Sequence, residues 1–194
     1  MNRFHRWYCR SGFWKKTLTT QVIPWALKGV ELGSDVLEVG PGPGLTTDIL
    51  RQRLKSVTSI EIDPRLAASL QARMQNTNVK VIQGDATAMP FPSDSFTAAV
   101  SFTMLHHVPS ADLQNRLLTE VFRVLKPGGM FAGTDSTWSR AFEMIHWWDT
   151  MVVVDPDGFG ARLEAAGFSD VTIRVVDRAF KFRARRPVNS SQTI

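Results

Sequence analysis

The stretch Val36-Leu37-Glu38-Val39-Gly40-Pro41-Gly42-Pro43-Gly44 decides how this 194-residue chain is read. A short apolar run carrying one acid passes directly into glycines at 40, 42 and 44. A helical pattern then begins at once with Leu45, Ile49, Leu50 and Leu54. Alternate glycines let the backbone turn tightly and approach a ligand with no Cβ in the way. The helix beyond them offers unpaired N–H groups and the positive end of its dipole. Strand, glycine loop and helix together read as a cradle for a nucleotide or a nucleotide-like cofactor. The next apolar run, Val57 to Asp63, carries Glu61, at the spacing of roughly twenty residues expected of an acid that binds ribose hydroxyls. An ordinary turn between strand and helix explains the glycines, and a solvated strand-end acid explains Glu61. Neither explains both in this order.

Further along, four more segments fall in sequence: Gln83-Gly84-Asp85-Ala86 with the loop Met89 to Phe96, then Ser101 to Val108, Glu120 to Gly129, and Leu163 to Phe168. With the glycine loop, this ordered set resembles the class I S-adenosylmethionine-dependent methyltransferases over residues 30–136. Within that class it is similar to the small-molecule branch that includes ubiquinone and menaquinone methyltransferases. The resemblance implies an α/β Rossmann-like fold, doubly wound, with seven strands in order 3-2-1-4-5-7-6 and strand 7 antiparallel. It implies S-adenosylmethionine as cofactor and S-adenosylhomocysteine as product. The glycine loop (Gly40, Pro41, Gly42, Gly44) is then expected to approach ribose and methionine. Glu38 would pair with the ligand's ammonium, directly or through water, and Glu61 would accept both ribose hydroxyls. Ile62 would pack on the adenine, Asp85 beside Ala86 would accept from its exocyclic amine, and Met89 would cover its other face. Gly84 and Ser101 complete the expected cofactor contacts.

A nicotinamide dinucleotide is the competing occupant of such a loop. Its fingerprint is Gly-x-Gly-x-x-Gly, which seats a pyrophosphate on the helix N-terminus. Here the third glycine comes too early, and prolines at 41 and 43 remove backbone donors that a pyrophosphate needs. A ligand without phosphate tolerates that loss.

Outside residues 1–28 and 187–194 the chain reads as one domain of alternating strands and helices. Strands are expected at 35–39, 57–62, 79–83, 96–102 and 129–135, with helices at 44–54, 64–76 and 111–125. A helix at 156–166 then leads into two adjacent strands near 168–177 and 178–186. Gly128 and Gly129 after Pro127 are expected to stop the third helix. Residues 1–28 form an N-terminal helical segment. Phe4, Trp7 and Tyr8 share one stripe, and Phe13, Leu18, Val22, Trp25 and Ala26 make a second, interrupted at Pro24. As a lid, this segment would bring Trp7 or Tyr8 near the methionine end of the ligand. Residues 187–194 read as a polar tail.

The net charge of +5 is unevenly spread. Residues 1–28 carry six basic residues and no acid, and residues 171–194 carry six against Asp177 alone. Such ends suit nucleic acid, anionic lipid or an acidic substrate. At the C-terminus, however, Phe180, Phe182 and Ala184 alternate with Lys181, Arg183 and Arg185. This is the pattern of a half-buried strand with a charged outer face, suited to a sheet edge. Cys9 is the only cysteine, so no intrachain disulfide forms, and a cytoplasmic setting is expected. No apolar run reaches membrane-spanning length. Four scattered histidines and one cysteine make no metal ligand set, so no metal is expected.

Methyl transfer from a sulfonium is an in-line displacement that depends mainly on alignment. An oxygen or nitrogen nucleophile also has a proton to lose, and His106, after the fourth strand, is the candidate base. Trp138, Phe142 and His146 share one face if residues 138–148 are helical. With Trp7 and Tyr8 they are the candidate acceptor contacts. The expected partner is a small, largely apolar molecule, since no Asn-Pro-Pro-Tyr-like segment of nucleic-acid amino-methyltransferases follows strand four. A non-catalytic cofactor-binding module, or an RNA or protein methyltransferase using the basic termini, are the alternatives. The sequence leaves the acceptor and the oligomeric state open.

Overall fold

A computed structural model describes residues 11–139 and 151–188. Its first elements are helix α1 (Gly12–Thr17), a π turn (Leu18–Val22) and helix α2 (Ile23–Ala26). The strands are β1 (Asp35–Val39), β2 (Ser56–Glu61), β3 (Val79–Gln83), β4 (Phe96–Phe102), β5 (Leu125–Ser136), β6 (Ser169–Val176) and β7 (Ala179–Arg185). Between them lie α3 (Leu45–Leu50), α4 (Pro64–Arg73), a 3-10 turn (Leu105–His107), α5 (Ala111–Val124) and α6 (Pro156–Ala165). They form one seven-stranded sheet in order β3-β2-β1-β4-β5-β7-β6. Strands β1 to β5 pair in parallel, and β7 is antiparallel to both β5 and β6. The topology is the one that the family resemblance implied.

Local chemistry sets the helix starts. Asp63 caps α4 by accepting from the N–H groups of Arg65 and Leu66, with Pro64 in the first turn. Ser110 caps α5 through the N–H of Leu113, and Asp155 caps α6 ahead of Pro156. The helix stop at 128–129 is a correction. Helix α5 ends at Val124, and Leu125 is already extended and paired with Phe96. The register jumps from Phe96↔Leu125 to Ala98↔Met130, so Lys126–Gly129 is a bulge inside β5. Pro127 forces its predecessor toward extended backbone, which the strand absorbs.

At Pro24 the α-helical ladder is interrupted, as the sequence predicts, while the chain stays helical. Proline lacks the N–H that would bond four residues back, and the π turn just before it reroutes the ladder, with Ile23 N–H donating to Leu18 O. Phe13, assigned to the buried stripe, is 71% exposed, whereas Leu18, Ile23 and Ala26 are buried.

Alternation along the strands divides the core in two. Leu37, Ala99, Phe131 and Phe182 face α5 and α6, packing on Leu117, Leu118, Phe159 and Leu163. Val36, Val57, Ala98, Val100 and Met130 face the other way, onto Leu18, Ile23, Ala26 and α3. The C-terminal ends of β1 to β5 therefore open at one edge, and the order reverses between β1 and β4. Open α/β sheets bind ligands at such a switch point. Among the described residues, no helix is long and apolar enough to cross a membrane.

Candidate functional site

A cavity of about 650 Å³ lies at that edge, within the usual size of small-ligand sites. Every parallel strand contributes residues at or just past its end: Gly40 to Pro43 after β1, Glu61 to Asp63 at β2, Gly84 to Thr87 after β3, Thr103, Met104 and His106 to Pro109 after β4, and Ser136 at the end of β5. Trp14 and Leu18 close it from α1 and the π turn.

Glu61 holds the glycine loop, and Glu38 holds the start of the helix behind it. Glu61 is nearly buried, and its carboxylate accepts the Gly42 N–H at 2.8 Å on one oxygen and the Asp63 N–H at 3.0 Å on the other. Each oxygen keeps a lone pair for a further donor. Burial pushes this carboxyl above its ordinary range, and the two backbone donors pull it part of the way back. Glu38 is wholly enclosed. Thr46 donates to one of its oxygens, while Thr47 at 2.5 Å and Ser59 at 2.7 Å donate to the other. The β1–β2 register sets Ser59 directly opposite. Its pKa is also raised, chiefly by burial, against the lowering effect of the three hydroxyls. Glu38 is absent from the cavity wall. This acid ties the first turn of α3 to β1 and β2; of the two pairings expected with a ligand ammonium, direct or through water, its place off the wall suits the second.

The glycines divide their tasks. Gly40 has φ +67°, and a Cβ there would collide with Met104; at Gly42, φ +55°, nothing lies within 4 Å. Gly42 is thus the open face of the cradle. Gly44, φ +84°, does not line the cavity; its missing Cβ makes room for Leu70 and Arg73 of α4. Arg73 in turn donates to the Pro43 carbonyl at 2.9 Å and pairs with Asp48 at 2.5 Å, bracing the loop from outside.

Other expected contacts sort similarly. Pro41, Gly84, Asp85 and Ala86 line the cavity, and Ile62 does so while 63% exposed. Asp85 is exposed and accepts from the Thr87 N–H through one oxygen. Ser101 is fully buried and off the wall, since β4 and β5 lie against each other there: a Cβ on Gly133 would strike the Ser101 carbonyl. Met89 belongs to the core, its N–H donating to Glu120 at 2.7 Å. Trp138 follows β5 outside any helix, is 60% exposed and does not line the cavity. Trp7, Tyr8, Phe142 and His146 lie outside the described residues.

His106 is on the cavity wall and only 2% exposed. Its Nδ1 lies 2.5 Å from Asp135 Oδ1, and its backbone N–H donates to Asp135 Oδ2 at 3.1 Å. Asp135 is itself fully buried at the end of β5 and also accepts the Ser136 N–H at 2.6 Å. An ionised Asp135 beside Nδ1 favours the tautomer protonated there, which makes Nε2 the basic nitrogen. The next ring, His107, also lines the cavity, 4.2 Å from the His106 ring centre. Gln114 fixes the turn from behind, donating to the carbonyls of Leu105 at 3.1 Å and Val152 at 2.9 Å and accepting from Arg162 at 2.9 Å. Thr103 opens the turn at φ 51°, on the wall. A β-branched residue in that region costs about 1–3 kcal/mol, a strain that functional sites concentrate.

Sequence reasoning did not assign Asp135, Trp14 or Leu18 to the site. The parallel register Phe102↔Thr134 sets the residue after Thr134 beside the turn that carries His106. An acid at the end of an otherwise apolar run was the available signal. Trp14 and Leu18 stand four apart, on one helix face.

A family model described as a methyltransferase domain matches residues 37–133, half of the chain. Demethylmenaquinone methyltransferase of Tropheryma whipplei is 35% identical over 117 residues, 59% of this chain and 46% of that protein. A probable ribosomal RNA small subunit methyltransferase A of Pyrococcus abyssi is 41% identical over 78 residues, 39% of this chain and 29% of that protein. The matched stretches thus span less than half the length of these relatives. In fold, the chain is similar to phosphoethanolamine N-methyltransferase 2 of Haemonchus contortus, solved in complex with S-adenosyl-L-methionine. That likeness has a TM-score of 0.75 at 13% identity and covers 96% of this chain and 60% of that one. The chain belongs to the methyltransferase-domain family.

Proposed function

We propose that this member of the family is an S-adenosylmethionine-dependent enzyme that methylates a small, largely apolar acceptor by in-line displacement. The observation that carries the reading is one cavity with Glu61 and the open Gly42 on one part of its wall and the His106–Asp135 pair on another.

The residues fit such a cofactor. Glu61 has acceptor capacity for two ribose hydroxyls, Ile62 offers an apolar surface for an adenine, and Asp85 an acceptor for its amine. Gly42 leaves space where any side chain would intrude. When bound, the cofactor supplies an electrophilic methyl on a sulfonium leaving group. The protein's share is to hold the acceptor in line and keep water out. Trp14, Leu18, Met104 and Leu113 provide apolar wall for that purpose. His106 takes the acceptor's proton at Nε2, and Asp135 holds the ring and stabilises the imidazolium that forms.

A second reading, an RNA acceptor, is favoured by the stretch similar to the ribosomal RNA enzyme. One experiment separates the readings. Cofactor labelled in its methyl group is supplied with a panel of small apolar alcohols, amines and carbon acids, and in parallel with structured RNA. Label on a small molecule supports the proposal, and label on RNA alone transfers it to the second reading. Saturable cofactor binding without turnover on any acceptor would make the chain a binding module.

A further inference from the structure

A second hollow, of about 320 Å³, lies between the end of α2 and the β6–β7 wing. Lys28 and Gly29 bound it on one side, and Thr172, Arg174, Lys181 and Arg183 on the other. The sequence placed the basic face of β7 at a sheet edge. In the fold β7 is internal, flanked by β5 and β6, so its charges need another explanation. Phe180, Phe182 and Ala184 are buried in the core, and alternation sends Lys181 and Arg183 to the opposite face. Beside them on β6 stand Thr172 and Arg174, in register with Arg183 and Lys181.

Four cations therefore share one concave surface. Among the described residues, no carboxylate comes within ion-pair distance of any of them. The cations just beyond behave differently: Arg185 pairs with Asp170 at 3.3 Å and Arg186 with Asp94 at 2.7 Å. Lys181 is pinned in place, its Nζ donating to the Trp25 carbonyl at 2.8 Å and lying 5.4 Å from the centre of the Trp25 ring. Burial, and then Arg174, Arg183 and Lys28, hold its ammonium below the usual lysine range. Gathered like charges repel one another, and a dianion among them removes that repulsion. Arginine forks match the oxygens of a phosphate, and the Thr172 hydroxyl and Gly29 backbone add polar groups to the wall. A polynucleotide would instead need cations strung along a track of successive phosphates. Here they converge on a single depression with volume to spare for the group that a phosphate carries.

We propose that this hollow binds the dianionic head of a phosphate monoester, at a site separate from the cavity beneath the glycine loop. The test is calorimetric titration of the full chain with inorganic phosphate and with glycerol 3-phosphate at low salt. The wild type should bind saturably at one site. R174Q/R183Q should bind at least tenfold more weakly. K80Q/R116Q, which removes two exposed cations elsewhere, should match the wild type. An unchanged thermal transition in R174Q/R183Q shows that a loss is not unfolding. If that variant does not fold, the single variant R174Q serves, with the same weakening expected. Sedimentation with vesicles containing phosphatidic acid, against vesicles of phosphatidylglycerol, distinguishes the sources. Retention on the monoester vesicles that R174Q/R183Q loses assigns a lipid head, and binding of glycerol 3-phosphate alone assigns a soluble ester. Absence of saturable phosphate binding in the wild type overturns the proposal. So does equal binding by R174Q/R183Q, or binding of single-stranded RNA with a steep salt dependence and of no monoester.

Discussion

The two parts of the cavity wall are built in opposite ways. The glycine-loop part is local in sequence: β1, its loop and the first turn of α3 are contiguous, and β2 supplies both Ser59 and Glu61. Its polar groups satisfy one another, since two carboxylates take five donors from backbone and hydroxyls. The His106 part is assembled from afar. It needs the turn after β4, the end of β5, α5 through Gln114, and the segment at Val152, whose N–H donates to the His106 carbonyl at 2.8 Å. A self-contained loop serves one invariant ligand, and a composite wall can change its acceptor by changing any of several elements. The proposed division of labour follows: cofactor affinity resides in the first part and turnover in the second.

Replacing His106 attacks the division most strongly. If Nε2 takes the acceptor's proton, H106Q should lower kcat by about 10²–10⁴-fold, the usual contribution of general-base catalysis. Cofactor affinity, measured by calorimetry, should stay near that of the wild type. A loss confined to KM would make the ring a positioning group. Wild-type kinetics would leave alignment as the protein's contribution.

Glu61→Ala is the reciprocal test. Two hydrogen bonds from ribose hydroxyls to a charged acceptor are worth roughly 1.5–3 kcal/mol each, so affinity for adenosylmethionine should fall by about a hundredfold or more. NAD should bind neither protein. The variant should also lose thermal stability, because the Gly42 and Asp63 N–H groups lose their acceptor. Unchanged affinity would remove the ribose assignment, and with it the assignment of cofactor binding to this part of the wall.

Trp14 belongs to neither strand system and tests whether the N-terminal run closes over both. It is half-buried and on the wall, so W14A should forfeit about 1 kcal/mol of apolar contact with a bound ligand, some fivefold in affinity. Cofactor should also slow proteolysis within residues 11–26 of the wild type and do so less in the variant. Equal cleavage rates with and without cofactor would mean a helix docked permanently on the sheet.

What the sequence disclosed follows the same divide. Six of the seven strands nearly to the residue and the glycine loop follow from contiguous patterns: apolar alternation, glycine spacing and an acid at a set distance; the strand order came from the family resemblance. Glu38 was legible as an acid at a strand mouth, but its setting was not, because sequence does not show the hydroxyls of Thr46, Thr47 and Ser59 folded around it. The pairing of Asp135 with His106 went unnoticed because the two are 29 positions apart and only the β4–β5 register joins them. Phe13 and Trp14 were exchanged because the π turn shifts the helical phase on which a stripe is read. The bulge at Lys126–Gly129 reads as a turn in sequence, since proline and glycine signal both.

The smallest effect separates the buried acid from the one on the wall. Glu38 and Glu61 both titrate above the ordinary glutamate value of 4.5, in each case chiefly through burial. A carboxyl whose folded pKa is raised binds its proton more tightly in the native state than in the unfolded one. Its contribution to stability is therefore full below pH 4.5 and declines as pH rises from there through the folded value. Glu38→Gln keeps an amide oxygen for the threonine and serine hydroxyls and has no charge to bury. Its stability curve should be flatter than the wild type's from pH 4.5 upward. The advantage of the variant over wild type should therefore grow with pH across that window, as followed by urea unfolding at successive pH values. Cofactor affinity at neutral pH should change little, because Glu38 does not reach the cavity. A variant whose unfolding curve keeps the wild-type pH slope would show that Glu38 is not the titrating group. A large loss of cofactor affinity with the fold intact would return this acid to the binding site and break the division between the loop's internal scaffold and its working face.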